Sequence, residues 1–410
     1  MIRPDTLRVL LSKQENVLPL CGAAFLQSCG EGIWFVAIPY ILKRFGGTDT
    51  QLGFCMGMWF LSYLFGCLSV SRLLDRFNSK STAQIGAGAN VLSVAVLLAV
   101  VMLGEKGLGP FSPVILIIVL SSVSGVFTSL FWPPLMGWVS TGYEGPQLNH
   151  RLGLFSASWS LGSLATPYFA GLMVERNSTS PIVGMVIFMI LSFVAVSFAR
   201  NPNLSKPTNQ RPTKISSDLE PTLLPRFRWM ARVALLTSFV CIGLVRTQLA
   251  VLFKYELPFS ESDYGSAILA KSIATFAILT LASQTHAWHY KVWLFMLGQT
   301  SLLVSMLLIL YTSSLILLTL ATFMIGTGSS FMYASHLYYG VSGGRRRSGR
   351  MAIHETILSV GFVLGGLIGG ILSDHLGKYC PYWFGFGVVT VGLIIQSIIW
   401  FAVKEKTARF

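Results

Sequence analysis

RLGLFSASWSLGSLATPYFAGLMVER, residues 151–176, lies over RMAIHETILSVGFVLGGLIGGILSDH, residues 350–375, at a constant shift of 199 positions without a gap. Arg151 meets Arg350, Ser160 meets Ser359, Gly162 meets Gly361, Gly171 meets Gly370, and Glu175 meets Asp374. Two apolar helices share small residues by chance, but matched charges at both ends mark a duplicated unit. A second stretch agrees at a shift of 212, with DTQLG (49–53) over ESDYG (261–265). The chain reads as two halves running in parallel.

The surrounding sequence says what kind of halves these are. The chain has 410 residues, is 53% hydrophobic and 11% charged, and has a mean hydropathy of +0.65. Soluble domains carry about a quarter charged residues, so this composition belongs to a polytopic membrane protein. A helix needs roughly 20 apolar residues to cross the bilayer core. Six stretches qualify in the first half, at about 17–41, 51–70, 82–103, 113–138, 151–174 and 181–198. Six more qualify in the second, at about 229–253, 263–282, 291–311, 314–340, 351–373 and 383–403. Between the sets, RNPNLSKPTNQRPTKISSDLEPTLLPR (200–226) is rich in proline and polar residues and reads as a solvated linker. The expected fold is all-α: twelve transmembrane helices in two six-helix bundles, 1–199 and 227–410, related by a pseudo-twofold axis. Parallel repeats of this kind are an organisation of secondary transporters, with the site near the bilayer midplane.

Twelve crossings put both termini and the linker on one side. The termini, the linker and the loops on that side hold 22 of the 30 basic residues, the opposite loops hold 6, and Arg246 and Lys271 lie inside apolar runs. Cytoplasmic loops collect Lys and Arg, so both termini are expected in the cytoplasm, with the chain in the cytoplasmic (inner) membrane. That bias accounts for the net charge of +14 without a nucleic-acid partner. It also accounts for GGRRRSGR (343–350), whose arginines are placed to meet anionic lipid headgroups. The N-terminus lacks a compact apolar core before a small-residue cleavage site and reads as mature cytoplasmic sequence. The six cysteines form no CxxC pair, so neither a zinc site nor a disulfide framework is expected, and no metal or cofactor is implied. NST at Asn177 reads as a chance sequon.

This organisation resembles the major facilitator superfamily over essentially the whole chain, and two motifs carry the resemblance. The loop SRLLDRFNSK (71–80) is similar to the family pattern GxxxDRxGRK: Asp75, Arg76 and Lys80 match, while Ser71, Asn78 and Ser79 depart from it. The resemblance implies that Asp75 and Arg76 help lock the outward-facing state. The corresponding loop of the second half, ASQTHAWHYK (282–291), keeps only Lys291. In the fifth crossing, Gly153, Gly162, Pro167 and Gly171 fall at the spacing of the family's antiporter signature, with Thr166 and Ala170 replacing two of its glycines. Small residues four apart let helices approach closely, and Pro167 bends the helix. Packing alone explains the same residues. The arginine that proton-driven antiporters of the family often carry in the fourth crossing is absent, because Ser121 stands four residues before Gly125.

Intramembrane charges are costly and mark functional positions. Glu31 and Lys271 fall near the middle of their crossings, Arg246 about one turn toward the outer side, and His336, His354 and Glu355 near the cytoplasmic ends. The resemblance implies that crossings 1, 4, 7 and 10 line a central cavity, which places Glu31 and Arg246 on opposite walls. Gln27 stands one turn from Glu31 on the same face. Lys271 reaches the cavity from the eighth crossing, so two cations face one acid. The expectation is a polar, anionic solute, with Glu31 as coupling-ion partner or proton carrier. The alternative is that Glu31 pairs permanently with Arg246 or Lys271 and holds the halves together. Trp132, beside Pro133 and Pro134, is a substrate-contact candidate because the proline pair interrupts the fourth crossing and frees backbone carbonyls. Trp34, Tyr333 and Tyr339 are further aromatic candidates. Glu355 lies about 7–8 Å inside its helix at about 1.5 Å per residue, and is expected to gate the cytoplasmic side by pairing with an arginine such as Arg350.

No nucleotide-binding GxxxxGK[ST] is present, and HETIL (354–358) is not HExxH, so an ATP-driven pump and an intramembrane enzyme are both disfavoured. A monomeric secondary transporter working by alternating access is the leading reading, leaning to export, with protons as a candidate coupling ion. Efflux or flipping of amphipathic drugs or lipids is the alternative, and a non-transporting receptor on the same fold is the third.

Overall fold

The computed structural model describes residues 17–74, 77–107, 112–140, 145–199, 223–285, 287–341 and 347–407. All regular structure among them is helical. The first half contains α1 (Val17–Arg44), α2 (Asp49–Leu74), α3 (Ser79–Glu105), α4 (Pro113–Ser129, then Trp132–Ser140), α5 (Gly145–Ala165, then Pro167–Arg176) and α6 (Thr179–Phe198). The second contains α7 (Leu224–Leu244, continued by π-helical turns at Val245–Leu249 and Leu252–Glu256), α8 (Glu261–Gln284), α9 (Val292–Tyr311), α10 (Leu315–Val341), α11 (Arg347–Leu376) and α12 (Cys380–Thr407). Eleven of these are long and apolar enough to cross a membrane. The twelfth expected crossing is α5, broken where Pro167 cannot donate to the ladder.

The expected boundaries hold to within a few residues except in α5, which begins at Gly145 rather than 151, and in α7, which begins at Leu224 rather than 229. In α7 the π turns also carry the helix to Glu256, past the predicted end at 253. Much of the linker, and Asp75 and Arg76, lie outside the described residues.

The packing repeats between the halves. Helix α1 packs on α5 and α6 as α7 packs on α11 and α12, and α2 packs on α4 as α8 packs on α10. The halves meet along two seams that exchange partners, α2 with α11 and α8 with α5. Large apolar side chains such as Phe65, Leu92, Ile115, Phe198, Ile316 and Phe401 stay exposed on the outer wall, where a lipid-facing helix presents them.

The buried core is uneven along the membrane normal. One cluster spans both halves, from Trp34, Tyr40 and Trp59 to Leu249, Tyr264 and Phe362. Toward the face where α1 and α7 begin and α6 ends, each half has its own cluster: Phe131, Trp138 and Phe155 in the first, Phe227, Phe295 and Tyr339 in the second. The halves are therefore joined through the middle and at the opposite face, where α1 ends and α2 begins, here called the far face.

Candidate functional site

Glu31 is the focus of a small polar construction in the first half. Gln27, one turn earlier in α1, donates from Nε2 to Glu31 Oε1 at 3.0 Å. Trp132 donates from its indole Nε1 to the same oxygen at 2.9 Å. The break in α4 aims that indole. Leu130 and Phe131 make tight i−3 bonds to Phe127 and Thr128, and the helix restarts at Trp132. Pro133 and Pro134 then fall in the first turn, where a missing N–H costs nothing. No cation lies within ion-pair distance of Glu31 among the described residues, so the permanent pairing with Arg246 or Lys271 is not what the structure holds.

Arg246 sits instead in the first π turn of α7, a local winding that is frequent at functional sites. Its guanidinium carbon lies 3.7 Å from the centroid of the Phe35 ring on α1 and 5.0 Å from that of Phe362 on α11. Cation–π contacts with both halves replace an ion pair. Lys271 is 8% exposed on α8 and has no hydrogen-bond or ion-pair partner among the described residues. A buried charge without a partner is costly.

A chain of aromatic rings runs on from the Arg246 site. Trp34 meets Trp59 at 5.7 Å, Trp59 stacks on Tyr63 at 5.7 Å, and Phe60 stacks on Phe362 across the halves. Phe362 meets Phe239 at 5.1 Å, and Tyr333 meets Trp159 across the halves at 6.2 Å. Sequence reasoning picked out Trp34, Trp132 and Tyr333 but missed Phe35, Trp59, Phe60, Tyr63 and Phe362. The run MWFLSYLF (58–65), aromatic on one face of α2, was the signal available. Tyr339 belongs elsewhere: it packs on Phe227, and its hydroxyl accepts the Tyr290 N–H at 2.7 Å in the core of the second half.

The remaining expected site residues separate. Glu355 accepts from the Tyr63 hydroxyl at 3.4 Å, a contact between halves, while the side chain of Arg350 lies outside the described residues. Beside it, His336 and His354 face each other Nδ1 to Nδ1 at 2.8 Å. In α5, Gly162 lies against the Phe25 carbonyl of α1, Pro167 starts the second segment, and Gly171 packs on the first turn of α8.

Two helical bundles with charged and aromatic groups gathered between them define a polytopic transporter fold. The comparisons make that specific: the family model described as Major Facilitator Superfamily matches residues 20–339, and the chain belongs to that superfamily. Its members are transporters and not enzymes. Among curated relatives, the quinolone resistance protein NorA of Staphylococcus aureus (strain MRSA252) is 24% identical over 384 residues, covering 91% of this chain and 94% of NorA. An uncharacterized MFS-type transporter, YcaD of Salmonella arizonae, is 22% identical over 175 residues, 42% of each chain. Among solved structures, the human organic anion transporter MFSD10 superposes with a TM-score of 0.64 at 12% identity, over 94% of this chain and 99% of that one. A bacterial homologue of the human lysosomal transporter Spinster gives 0.66 at 14% identity, over 95% and 96%. At these identities the structural likeness shows the fold.

Proposed function

We propose that this chain exports amphipathic aromatic solutes carrying an anionic group across the cytoplasmic membrane, by alternating access and with both termini in the cytoplasm. The observation that carries the reading is the midplane set itself. An aromatic belt runs between the halves, with Glu31 held only by neutral donors on one wall. Arg246 stacked on rings and the unpartnered Lys271 form the other wall. Flat rings stack on such a belt at about 0.5–1.5 kcal/mol per pair beyond area burial. The two cations favour a carboxylate or similar anion. Glu31, free of an ion pair, can take or release a proton without breaking one, which fits proton-coupled export. The name of the relative NorA supports drug efflux, and the basic-residue bias supports the orientation.

A second reading has one observation in its favour: two cations, Arg246 and the buried Lys271, outnumber the one midplane acid, as a small non-aromatic anion requires. A thermal-shift screen of the purified protein separates the two. A fluoroquinolone raises the melting temperature under the first reading, and only organic acids or phosphorylated metabolites do so under the second.

The direct test is fluoroquinolone flux in proteoliposomes under an imposed proton gradient. Glu31→Gln is expected to abolish the pH dependence, and Lys271→Ala to weaken uptake roughly tenfold, the order expected when a charge-assisted contact is lost. Full transport with unchanged pH dependence in both variants overturns the coupling assignment. Absence of flux for every solute tried points to a non-transporting receptor.

A further inference from the structure

The far face carries two acidic residues that solute binding leaves unused, Glu175 at the end of α5 and Asp374 near the end of α11. Each reaches across to the other half. Asp374 accepts the backbone N–H of Asp49 at 3.1 Å and of Thr50 at 2.7 Å, in the first turn of α2. Glu175 accepts the backbone N–H of Ser262 at 2.8 Å, in the first turn of α8. First-turn N–H groups have no partner within their own helix, and they carry the positive end of its dipole.

Local capping explains why these amides are available. In α2, Thr48 and Gln51 form a reciprocal box, Thr48 N–H to Gln51 Oε1 at 2.9 Å and Gln51 N–H to Thr48 Oγ at 3.1 Å. In α8, Ser260 and Asp263 do the same at 2.9 and 3.1 Å. Each box satisfies the cap and the third residue. Of the amides between them, those of Asp49 and Thr50 in α2 and of Ser262 in α8 go to a carboxylate from the opposite half.

Behind each contact lies a second acid bridging two bases, one from each half. Asp49 pairs with Lys43 of its own half and with Lys378 of the other at 2.5 Å. Glu261 pairs with Lys254 of its own half at 3.0 Å and with Arg44 of the other at 3.4 Å. Each seam thus holds two acids and two bases, with no net charge. The residues correspond through the sequence repeat: Glu175 and Asp374 are 199 apart, Asp49 and Glu261 are 212 apart. The backbones touch at matched places as well. A Cβ on Gly370 meets the Asp49 carbonyl, and a Cβ on Gly171 meets that of Glu261 at 2.6 Å.

We infer that Glu175 and Asp374 are positioning residues of a twofold clasp, and that releasing both from the first turns of α8 and α2 is the step that opens the far face. The inference rests on the alternating-access reading above. When the seams part, the carboxylates and the amides pass to water at the same moment, and the two ion triads split between the halves. Two equivalent clasps act in parallel, so loss of one leaves the other holding.

Both carboxylates are exposed, so removing them spares the core. The test measures distances by double electron–electron resonance between spin labels, with the two cysteines that are not buried, Cys67 and Cys380, changed to serine. One label pair, Lys106→Cys with Ser313→Cys, spans the halves at the far face. A second, Phe77→Cys with Gln284→Cys, spans them at the face where α1 and α7 begin. Glu175→Ala with Asp374→Ala is expected to raise the long-distance population at the far face roughly tenfold, while the second pair shortens in step. Each single variant gives roughly the square root of that effect, as independent sites do. Glu175→Gln with Asp374→Asn, which keeps an acceptor but loses the charge, falls between and serves if the alanine variant does not fold. An unchanged far-face distribution overturns the clasp, and so does broadening of both pairs together, which reports general loosening. A lengthened far-face distance in a protein that moves no solute sinks the transport reading instead.

Discussion

The two seams between the halves are built on one backbone plan and finished differently. At α2–α11, Asp49 is fully buried, and its bases Lys43 and Lys378 are 16% and 27% exposed. At α8–α5, Glu261 is nearly as buried, but Arg44 and Lys254 are 31% and 40% exposed. The second seam opens on a far-face cavity of about 590 Å³ lined by Tyr40, Arg44, Glu175, Lys254, Tyr255 and Glu261. The repeat preserves where backbones touch and where acids sit. What has diverged is how much water reaches each cluster, and that sets how much each ion triad is worth.

The comparison can be broken most forcefully at the glycines. Gly370→Val and Gly171→Val both drive a side chain into a facing carbonyl. Each is expected to cost roughly 3 kcal/mol, read as a fall in thermal midpoint in detergent. Equal losses support one shared backbone plan, and a neutral variant at either site refutes it. A smaller effect sharpens the difference between seams. Asp49→Asn leaves two partly buried lysines facing each other and is expected to cost about 2 kcal/mol, below the range for a fully buried pair because its bases are partly hydrated. Glu261→Gln, whose bases are wetter, is expected to cost about 1 kcal/mol and to lose most of that effect in high salt. If Glu261→Gln destabilises more than Asp49→Asn, exposure is not the controlling variable. The smallest change, Tyr255→Ala on the cavity wall, is expected to stay within about 0.5 kcal/mol.

Much of this was legible in the sequence. The twofold plan followed from the repeat, because matched charges at helix ends survive where apolar residues drift. Gln27 and Glu31 were placed together because a spacing of four fixes one helix face. The Trp132 contact with Glu31 was only half visible: the proline pair announced a break in α4 but not the direction in which the indole would turn. Asp49 and Lys378 are 329 residues apart, and no local pattern encodes such a pair. Arg246 was read as a candidate to answer Glu31. Its stacking on Phe35 and Phe362 was hidden because the π winding of α7 shifts which face its residues present, and composition carries no trace of winding.

That winding has a consequence in the language of insertions. A π turn is an α-helix with one residue too many, held in register by longer backbone rings. Deleting a single residue between Val245 and Leu249 would restore ordinary α geometry while leaving the ladder intact. The flanking segments would keep their register, because the turn already absorbs the extra residue, while the residues inside the turn would rotate onto other faces and the charge at position 246 would leave the rings it now rests on. The aromatic contact between the halves is therefore addressable by chain length alone, without altering a single side chain in it.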